Sequence, residues 1–273
     1  THCTSSAASD VYKRQGHGLP FDSEGMKERY PGIFFSQFTG AELVADKWNL
    51  SREDLDQFAL ESHQKAAQAT ESKYFDREIL PVEGKNAEGI NDLVMADEGI
   101  RFDASLDKLA GLNPVTEGGV ITAGNASQIT DGAAAVVICN DAGLKKIQAN
   151  PRAEIVSISV VGDDPVFMLT GPIPASKKAL ETANLSIDDM DLYEVNEAFA
   201  PVPLAWAVDL KADKSKLNVN GGAMALGHPL GATGAKLMTT LLHEMERRES
   251  NYGLQAICEG GGTANATIIK RIA

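Results

Sequence analysis

The sequence predicts a layered α/β fold, in which helices cover both faces of a sheet. Strand-like apolar runs alternate with helix-period segments through the second half of the chain. Several of those runs, such as residues 133–139 and 254–258, are apolar on both faces, which is typical of strands buried on both faces. The 273 residues, of which 43% are hydrophobic, suffice for a sizeable core in one or two domains. Together these three observations favour packed layers of helices and strands.

Helical patterns dominate the first third of the chain. Helix-period apolar residues predict helices over residues 40–48 and 52–71. Ser51, with Asp54 three residues later, is the signature of a helix start. Residues 72–117 are weakly periodic and rich in Asp, Glu, Gly and Asn, so they indicate a functional excursion rather than a core element.

Strands and helices alternate after this excursion. The patterns predict strands over residues 133–139, 153–161, 191–195, 216–219, 254–258 and 264–272, and helices over residues 174–184, 198–210 and 231–248. This alternation is typical of a sheet with helices packed on its faces.

Charge and cysteine content exclude several classes of protein. The net charge of -13 repels phosphate backbones, which argues against nucleic-acid binding. Cys3, Cys139 and Cys258 are too few for a disulfide framework and favour a reducing compartment. No apolar run approaches the ~20 residues that a membrane span needs. We therefore expect a soluble, cytoplasmic protein without a membrane partner, in which Cys139 is a buried small hydrophobe.

Residues 1–15 differ from the rest of the chain. They contain a Ser/Ala cluster without periodicity and without the apolar region of a signal peptide. They resemble a non-native leader, translated from a cloning or assembly junction. The globular part is therefore expected to begin at Gly16.

A histidine and a cysteine stand in glycine-rich contexts near the end of the chain. His228 lies between Gly227 and Pro229, where an imidazole could deprotonate a thiol or donate to an oxyanion. Cys258 ends an apolar run and precedes Gly260-Gly-Gly262, so its thiol could act as a nucleophile or as an acid and base. The alternatives are a histidine that only ties a loop together and a cysteine that only fills the core.

Two polar segments add candidate contacts. Asn196 follows a predicted strand and precedes a predicted helix, so it could be an N-cap or could hold a water over a site. Residues 124–132 form a polar stretch between apolar segments and include Ser127. Ordinary turn chemistry is as good an explanation of this stretch as ligand contact.

These motifs together resemble the thiolase family of coenzyme-A-dependent enzymes. Asn196-Glu-Ala-Phe199, Gly227-His-Pro229 and Cys258-Glu-Gly-Gly-Gly262 occur in the family's order, and Thr170-Gly-Pro-Ile-Pro-Ala-Ser176 matches the lead into its C-terminal half. The resemblance extends from about Gly16 to Ala273. It implies an acyltransferase that cleaves 3-ketoacyl-CoA to acetyl-CoA and a shortened acyl-CoA, or catalyses the reverse condensation.

The resemblance also implies a fold. Thiolases have two βαβαβαββ halves packed as five layers, α-β-α-β-α, with a loop domain inserted in the first half. By this comparison, residues 16–129 are the loop domain, 130–150 end an incomplete first half, and 151–273 form the C-terminal domain. The family's nucleophilic cysteine, in an Asn-x-x-Cys-x-Ser-Gly context, is expected upstream of Gly16. The chain therefore resembles an N-terminally truncated thiolase that is inactive alone.

Catalytic roles follow from the same resemblance. His228 would take the proton of the missing cysteine, and Cys258 would protonate the acetyl-CoA enolate. Asn196 would hold a water that forms one oxyanion pocket with His228, while the Gly260 N–H would contribute to the other pocket. No metal is implied.

Binding roles and partners are implied as well. Ser127 would contact the pantetheine arm, Phe199 would line its tunnel, and Gln37 would face the acyl group. Coenzyme A and acyl-CoA would be substrates, with no permanently bound cofactor, and intact relatives would be homodimers or homotetramers. Gln37 and Glu259 resemble the degradative group, which includes steroid side-chain thiolases.

Three other kinds of protein are alternatives to a thiolase. A ketoacyl synthase would share the fold but would normally pair its nucleophile with two histidines, and Cys258 beside Gly260 argues against it. A dinucleotide-binding domain is disfavoured because the glycines around His228 do not form G-x-G-x-x-G after a strand. A non-catalytic module that binds CoA or acyl groups stays open as an alternative.

Overall fold

The computed structural model describes residues 20–85 and 89–272. Residues 1–15, with Cys3, and the expected start at Gly16 lie outside this part of the chain. Its helices are α1 (Glu24–Arg29), α2 (Gln37–Lys47), α3 (Arg52–Glu71), α4 (Leu106–Ala110), α5 (Asp141–Ile147), α6 (Pro172–Ala183), α7 (Pro201–Leu210), α8 (Ala223–Leu226) and α9 (Thr233–Arg247). Its strands are β1 (Val82–Lys85), β2 (Asn91–Val94), β3 (Ala153–Gly162), β4 (Leu192–Val195), β5 (Tyr252–Cys258) and β6 (Thr263–Arg271).

The second half of the chain builds a four-stranded sheet in the order β3-β6-β5-β4. Strand β6 is antiparallel to both β3 and β5, whereas β4 and β5 are parallel. In the parallel pair, Glu194 lies beside Gln255 and Val195 beside Ala256. The carboxyl ends of β4 and β5 therefore meet at one edge of the sheet.

Alternate residues of the strands face different helices. Leu192 on β4 packs with Leu241 and Met245 of α9. The next residue, Tyr193, meets Trp206 of α7 edge to face, with ring centroids 5.3 Å apart. Since successive side chains of a strand point to opposite faces, α9 covers one face of the sheet and α7 covers the other.

Helix α6 lies on the same face as α7. On β3, the Ser157 hydroxyl donates to the Ala179 carbonyl of α6 at 2.8 Å, and Ser159 donates to the Ala175 carbonyl at 2.6 Å. These bonds satisfy two buried hydroxyls at the sheet face. The second half is thus a helix-sheet-helix stack, as its sequence pattern predicts.

Helix α3 begins where the sequence predicts. The Asp54 N–H donates to the Ser51 hydroxyl oxygen at 3.1 Å, and the Ser51 N–H donates to the Asp54 carboxylate at 2.8 Å. This reciprocal capping box satisfies two backbone donors at the helix start. The buried face of α3, which includes Leu55 and Ala59, then joins the main core.

We expect Ser51→Ala to lower the free energy of unfolding by about 1 kcal/mol, because the helix start loses its side-chain cap. Ser36→Ala is the matched control, since Ser36 caps α2 without a side-chain hydrogen bond. Urea denaturation of both variants tests this. Equal stability losses in the two variants would contradict a role for the capping box.

Two predicted strands are wrong. Residues 133–139 form no strand, and Val137 and Ile138 are 80% and 72% exposed. Within the described ranges this segment has no strand beside it, so its apolar pattern has no ladder to join. The predicted burial of Cys139 fails for the same reason, because Cys139 is exposed.

Residues 216–219 are the second wrong strand. Leu217 forms only an isolated bridge with Tyr193. Asn218 then has a left-handed backbone, with φ of 44°, which ends the extended conformation.

Several helix boundaries differ from the predicted ones. Helix α7 begins at Pro201 rather than at residue 198, because residues 198–200 pair with 125–127. The polar stretch 72–117 contains the β1-β2 hairpin and α4. None of the described helices is both long and apolar enough to cross a membrane.

Candidate active site

The candidate site begins at the edge where β4 and β5 end. Asn196 follows the last residue of β4, and its N–H donates to the Ala256 carbonyl of β5 at 3.0 Å. Cys258 is the last residue of β5. The ends of parallel strands are a common position for ligand sites in α/β sheets. The fold therefore brings two of the predicted catalytic residues to one edge.

His228 lies in the segment 227–229, which we call the histidine loop. The backbone of this loop is constrained on both sides of His228. Gly227 has φ of 81°, and a Cβ there would lie 2.5 Å from the Thr130 hydroxyl. The His228 N–H donates to the Gln128 carbonyl at 3.0 Å. Only glycine fits at position 227, and this turn presents His228 towards Asn196.

We assign one tautomer to the His228 ring from its hydrogen-bond partners. Its Nδ1 lies 2.6 Å from the Thr233 hydroxyl, and that hydroxyl donates to the Pro229 carbonyl at 3.2 Å. Since a hydroxyl has a single proton, Thr233 accepts from the Nδ1–H of His228. Nε2 therefore carries the lone pair.

That lone pair is available at neutral pH. Burial lowers the pKa of His228 to about 4, so the imidazole is uncharged near pH 7. Nε2 lies 3.5 Å from the Asn196 side-chain nitrogen. The ring can accept a proton from a reacting group, and once protonated it can donate to an oxyanion.

Asn196 is not a helix cap. Helix α7 starts at Pro201 after Ala200, so the N-cap alternative for Asn196 is wrong. The amide is buried, and its nitrogen faces His228. Its oxygen, Oδ1, is buried without a hydrogen-bond partner in the described part of the chain.

The Cys258 thiol is buried at the end of β5, within the core between the sheet and helices α6 and α7. Burial raises the pKa of this thiol to about 12. It is therefore protonated at neutral pH, which suits a proton donor. Gly260 lies two residues further on and is exposed, in the turn Gly260–Gly262 that joins β5 to β6.

We expect Cys139 to be alkylated by iodoacetamide at least about ten times faster than Cys258 in the folded chain, because only a thiolate reacts and Cys258 is buried. Peptide mass spectrometry after timed quenching measures both rates. Denaturation with urea is the control and should make them similar. Faster alkylation of Cys258 in the folded protein would contradict the protonated, buried thiol.

The predicted binding residues lie beside one another. The Ser127 N–H donates to the Ala198 carbonyl at 2.9 Å, which places Ser127 next to Phe199. The buried Phe199 ring meets Phe38 edge to face, with centroids 5.5 Å apart. Gln37, the exposed first residue of α2, precedes Phe38. The fold thus gathers Ser127, Phe199 and the start of α2.

Glu197 is a residue that the sequence analysis missed. Its buried carboxylate accepts from the Ser62 hydroxyl at 2.7 Å, from the Asn218 amide at 2.8 Å and from the Met224 N–H at 3.1 Å. It therefore joins α3 to the segment that leads into the histidine loop. A charge inside the apolar run 195–200 was the available signal, because a buried carboxylate must find donors.

Thr233 is a second missed residue. It orients His228 through Nδ1 and is itself buried at the first position of α9. A hydroxyl five residues after a histidine is a weak sequence signal, and only the loop geometry brings the two together.

Comparisons with known proteins identify the family of the chain. The N-terminal domain of thiolases matches residues 11–142, and their C-terminal domain matches residues 149–271. The steroid 3-ketoacyl-CoA thiolase FadA6 of Mycobacterium tuberculosis is 51% identical over 268 residues, which are 98% of this chain and 64% of that relative. An acetyl-CoA acetyltransferase of Paracoccus denitrificans is 46% identical over 234 residues, which are 85% of this chain and 60% of that relative.

Solved structures show the same fold. The acetyl-CoA acetyltransferase of Bacillus anthracis superposes with a TM-score of 0.84 at 40% identity, covering 89% of this chain and 61% of that one. Human mitochondrial 3-ketoacyl-CoA thiolase in complex with CoA gives 0.79 at 44% identity, covering 86% and 58%. The chain spans less than two thirds of the length of each of these relatives. It has the thiolase fold and belongs to the thiolase family.

Proposed function

We propose that the protein is a thiolase-type acyltransferase. It cleaves a 3-ketoacyl-CoA with a second CoA, giving acetyl-CoA and a shortened acyl-CoA, or runs the reverse condensation. The observation that carries this proposal is the uncharged His228, whose Nε2 lone pair lies beside the Asn196 amide at the sheet edge where Cys258 ends β5.

His228 and Asn196 act on the keto group. Nε2 takes the proton of the attacking thiol, and the thiolate adds to the 3-keto carbon. The resulting oxyanion accepts hydrogen bonds from protonated His228 and from a water held by Asn196. Both groups are already oriented by Thr233 and by the end of β4.

Cys258 completes the bond cleavage. When the bond between the 2 and 3 carbons breaks, acetyl-CoA leaves as an enolate and takes the thiol proton of Cys258. The raised pKa of this thiol keeps the proton available until a strong base forms beside it. The second CoA thiol then gives its proton to the Cys258 thiolate and takes the acyl group, and the released cysteine thiolate regains its proton from His228. The Gly260 N–H contributes to the second oxyanion pocket.

None of the three cysteines of this chain is assigned as the attacking cysteine. The context Asn-x-x-Cys-x-Ser-Gly does not occur in the sequence, and Cys139 lies in an exposed segment after residue 133. We propose that this cysteine belongs to a longer form of the protein. The 273-residue chain alone would then not catalyse thiolysis. We also propose that the chain consists of a loop domain (16–129), the end of the first half (130–150) and the C-terminal domain (151–273).

We propose CoA and acyl-CoA as the substrates of this site. A relative that matches the chain is solved in complex with CoA, and another is named a steroid 3-ketoacyl-CoA thiolase. Ser127 contacts the pantetheine arm, Phe199 lines its path, and Gln37 borders the acyl group. We further propose degradative use of bulky acyl groups in the cytoplasm, by a homodimer or homotetramer that binds no permanent cofactor, metal, nucleic acid or membrane.

Thiolysis assays test this function. Two substrates, acetoacetyl-CoA and a bulkier 3-ketoacyl-CoA, are each incubated with CoA. Each is assayed with the 273-residue chain and with a chain extended through the upstream reading frame. Activity in the extended chain alone is expected, with the substrate ratio reporting the acyl preference. An extended chain that binds CoA but cleaves neither substrate would favour a non-catalytic CoA-binding module.

A further inference from the structure

Five buried side-chain oxygens have no hydrogen-bond partner among residues 20–85 and 89–272, and three of them lie together where β4 and β5 run side by side. These three are Glu194 Oε2, Asn196 Oδ1 and Gln255 Oε1. An unpaired buried acceptor costs about 1–3 kcal/mol, so three of them together need an explanation.

The strand geometry places these three side chains on one face. Glu194 and Asn196 are two residues apart at the end of β4, so they point to the same side. Glu194 also lies directly beside Gln255 in the parallel ladder. Because Leu192 on the same face packs against α9, all three side chains face α9.

A cavity of about 10 Å³ lies between this face and α9. Glu194, Asn196, Thr233 and Thr240 are among its lining residues. The volume is close to the smallest that holds one water molecule. Two of the three unpaired oxygens therefore belong to residues that line a water-sized space.

The side-chain donors around the cavity each make a hydrogen bond to another acceptor. The Gln255 amide nitrogen donates to the Gly234 carbonyl at 3.0 Å, and the Thr240 hydroxyl donates to Glu78 at 3.1 Å. Thr233 donates to Pro229, and Lys236 donates to Asp97 at 3.0 Å and to the Leu226 carbonyl. None of these donors reaches Glu194 Oε2, Asn196 Oδ1 or Gln255 Oε1, so these three oxygens have no side-chain donor among them.

The charges around Glu194 also favour the protonated form of its carboxyl group. Burial raises the pKa of Glu194 well above its usual range, and the carboxylates of Glu197, Glu78 and Glu244 raise it further. Lys65 opposes these groups, and Lys236 is paired with Asp97.

We propose that Glu194 is an uncharged carboxylic acid which, together with one water in the cavity, supplies the protons that Asn196 Oδ1 and Gln255 Oε1 lack. The carboxyl O–H donates to one acceptor directly or through the water, and the water donates to the other. This bonding keeps Asn196 Oδ1 on the cavity side, so that the amide nitrogen faces Nε2 of His228. Glu194 is thus a positioning residue that acts through Asn196.

Infrared difference spectroscopy of the folded chain at pH 7 tests the protonation state. A carboxylic acid C=O band is expected that shifts in D₂O, disappears in Glu194→Gln and persists in Glu78→Gln. The Gln variant keeps an N–H donor and should fold like the original chain. A band unchanged in E194Q, or no band at all, would overturn the proposal. If E194Q does not fold, ¹³C-glutamate NMR of the original chain decides, since an ionised Glu194 at pH 7 would overturn it.

Nitrogen NMR of ¹⁵N-histidine tests the positioning. Loss of the donor in Glu194→Leu should shift the His228 Nε2 resonance, because the Asn196 amide is no longer held, while E194Q should leave it unchanged. Equal spectra for E194L and the original chain would refute the positioning role. Both measurements are made without turnover, so failure of the thiolysis assay would leave them interpretable, and their failure would leave the proposed acyl transfer standing.

Discussion

His228→Ala is expected to lower kcat for thiolysis by at least about 10³-fold in the extended chain, because one side chain supplies both a base and an oxyanion donor. The ring is held for both tasks. Thr233 fixes the Nδ1 proton, burial keeps the imidazole uncharged, and Nε2 faces the Asn196 amide. Alanine removes the lone pair and the later donor together.

His243→Ala is the matched control for this loss. His243 lies on α9 and contacts Glu78 rather than Asn196. It should change kcat by less than about threefold, since His243 bonds to Thr239 and Glu78 and to none of the candidate site residues. Steady-state thiolysis of acetoacetyl-CoA measures both variants. A fully active H228A variant would remove His228 from the mechanism while leaving the family assignment intact.

Gly222→Ala is expected to lower the free energy of unfolding by about 3 kcal/mol, through overpacking and lost hydrogen bonds. A Cβ at this position would lie 2.3 Å from the carboxyl carbon of Glu197 and 2.5 and 2.6 Å from its two oxygens. The carboxylate would have to move away from Ser62, Asn218 and Met224, and all three are buried donors.

Gly234→Ala separates this steric effect from a general cost of adding a methyl group. Its Cβ would meet Ile257 at 3.4 Å and Gln255 at 3.8 Å, which are ordinary contacts. Since glycine is a poor residue inside a helix, this variant should be stabilised by roughly 0.5–1 kcal/mol. Urea denaturation of both variants measures the difference. Equal stabilities would mean that the Glu197 carboxylate does not hold its position.

Local chemistry explains why much of the fold could be predicted. The capping box at Ser51 is complete within four residues, so the start of α3 was visible in the sequence. Strand β5 and the turn after Cys258 were visible too, because an apolar run ends in three glycines. In each case the residues that determine the structure are neighbours in the chain.

The failures have a common physical cause. Residues 133–139 have a strand pattern, yet a strand needs a partner that the pattern itself does not contain. Asn196 stands in a good context for a cap, but pairing of residues 198–200 with 125–127 delays the helix until Pro201. Long-range contacts decide both.

The Ser62 hydroxyl on α3 donates to a carboxylate that lies 135 positions later in the chain. At a synthesis rate of 5–20 residues per second, α3 leaves the ribosome on the order of 10 s before Glu197 has been made. During that interval the end of α3 that carries Ala66 and Ala69 lacks Ala225 and Leu226 of α8, which cover it in the folded chain. A chaperone that shields this helix would therefore protect the nascent protein until Glu197 and the segment after it have been translated.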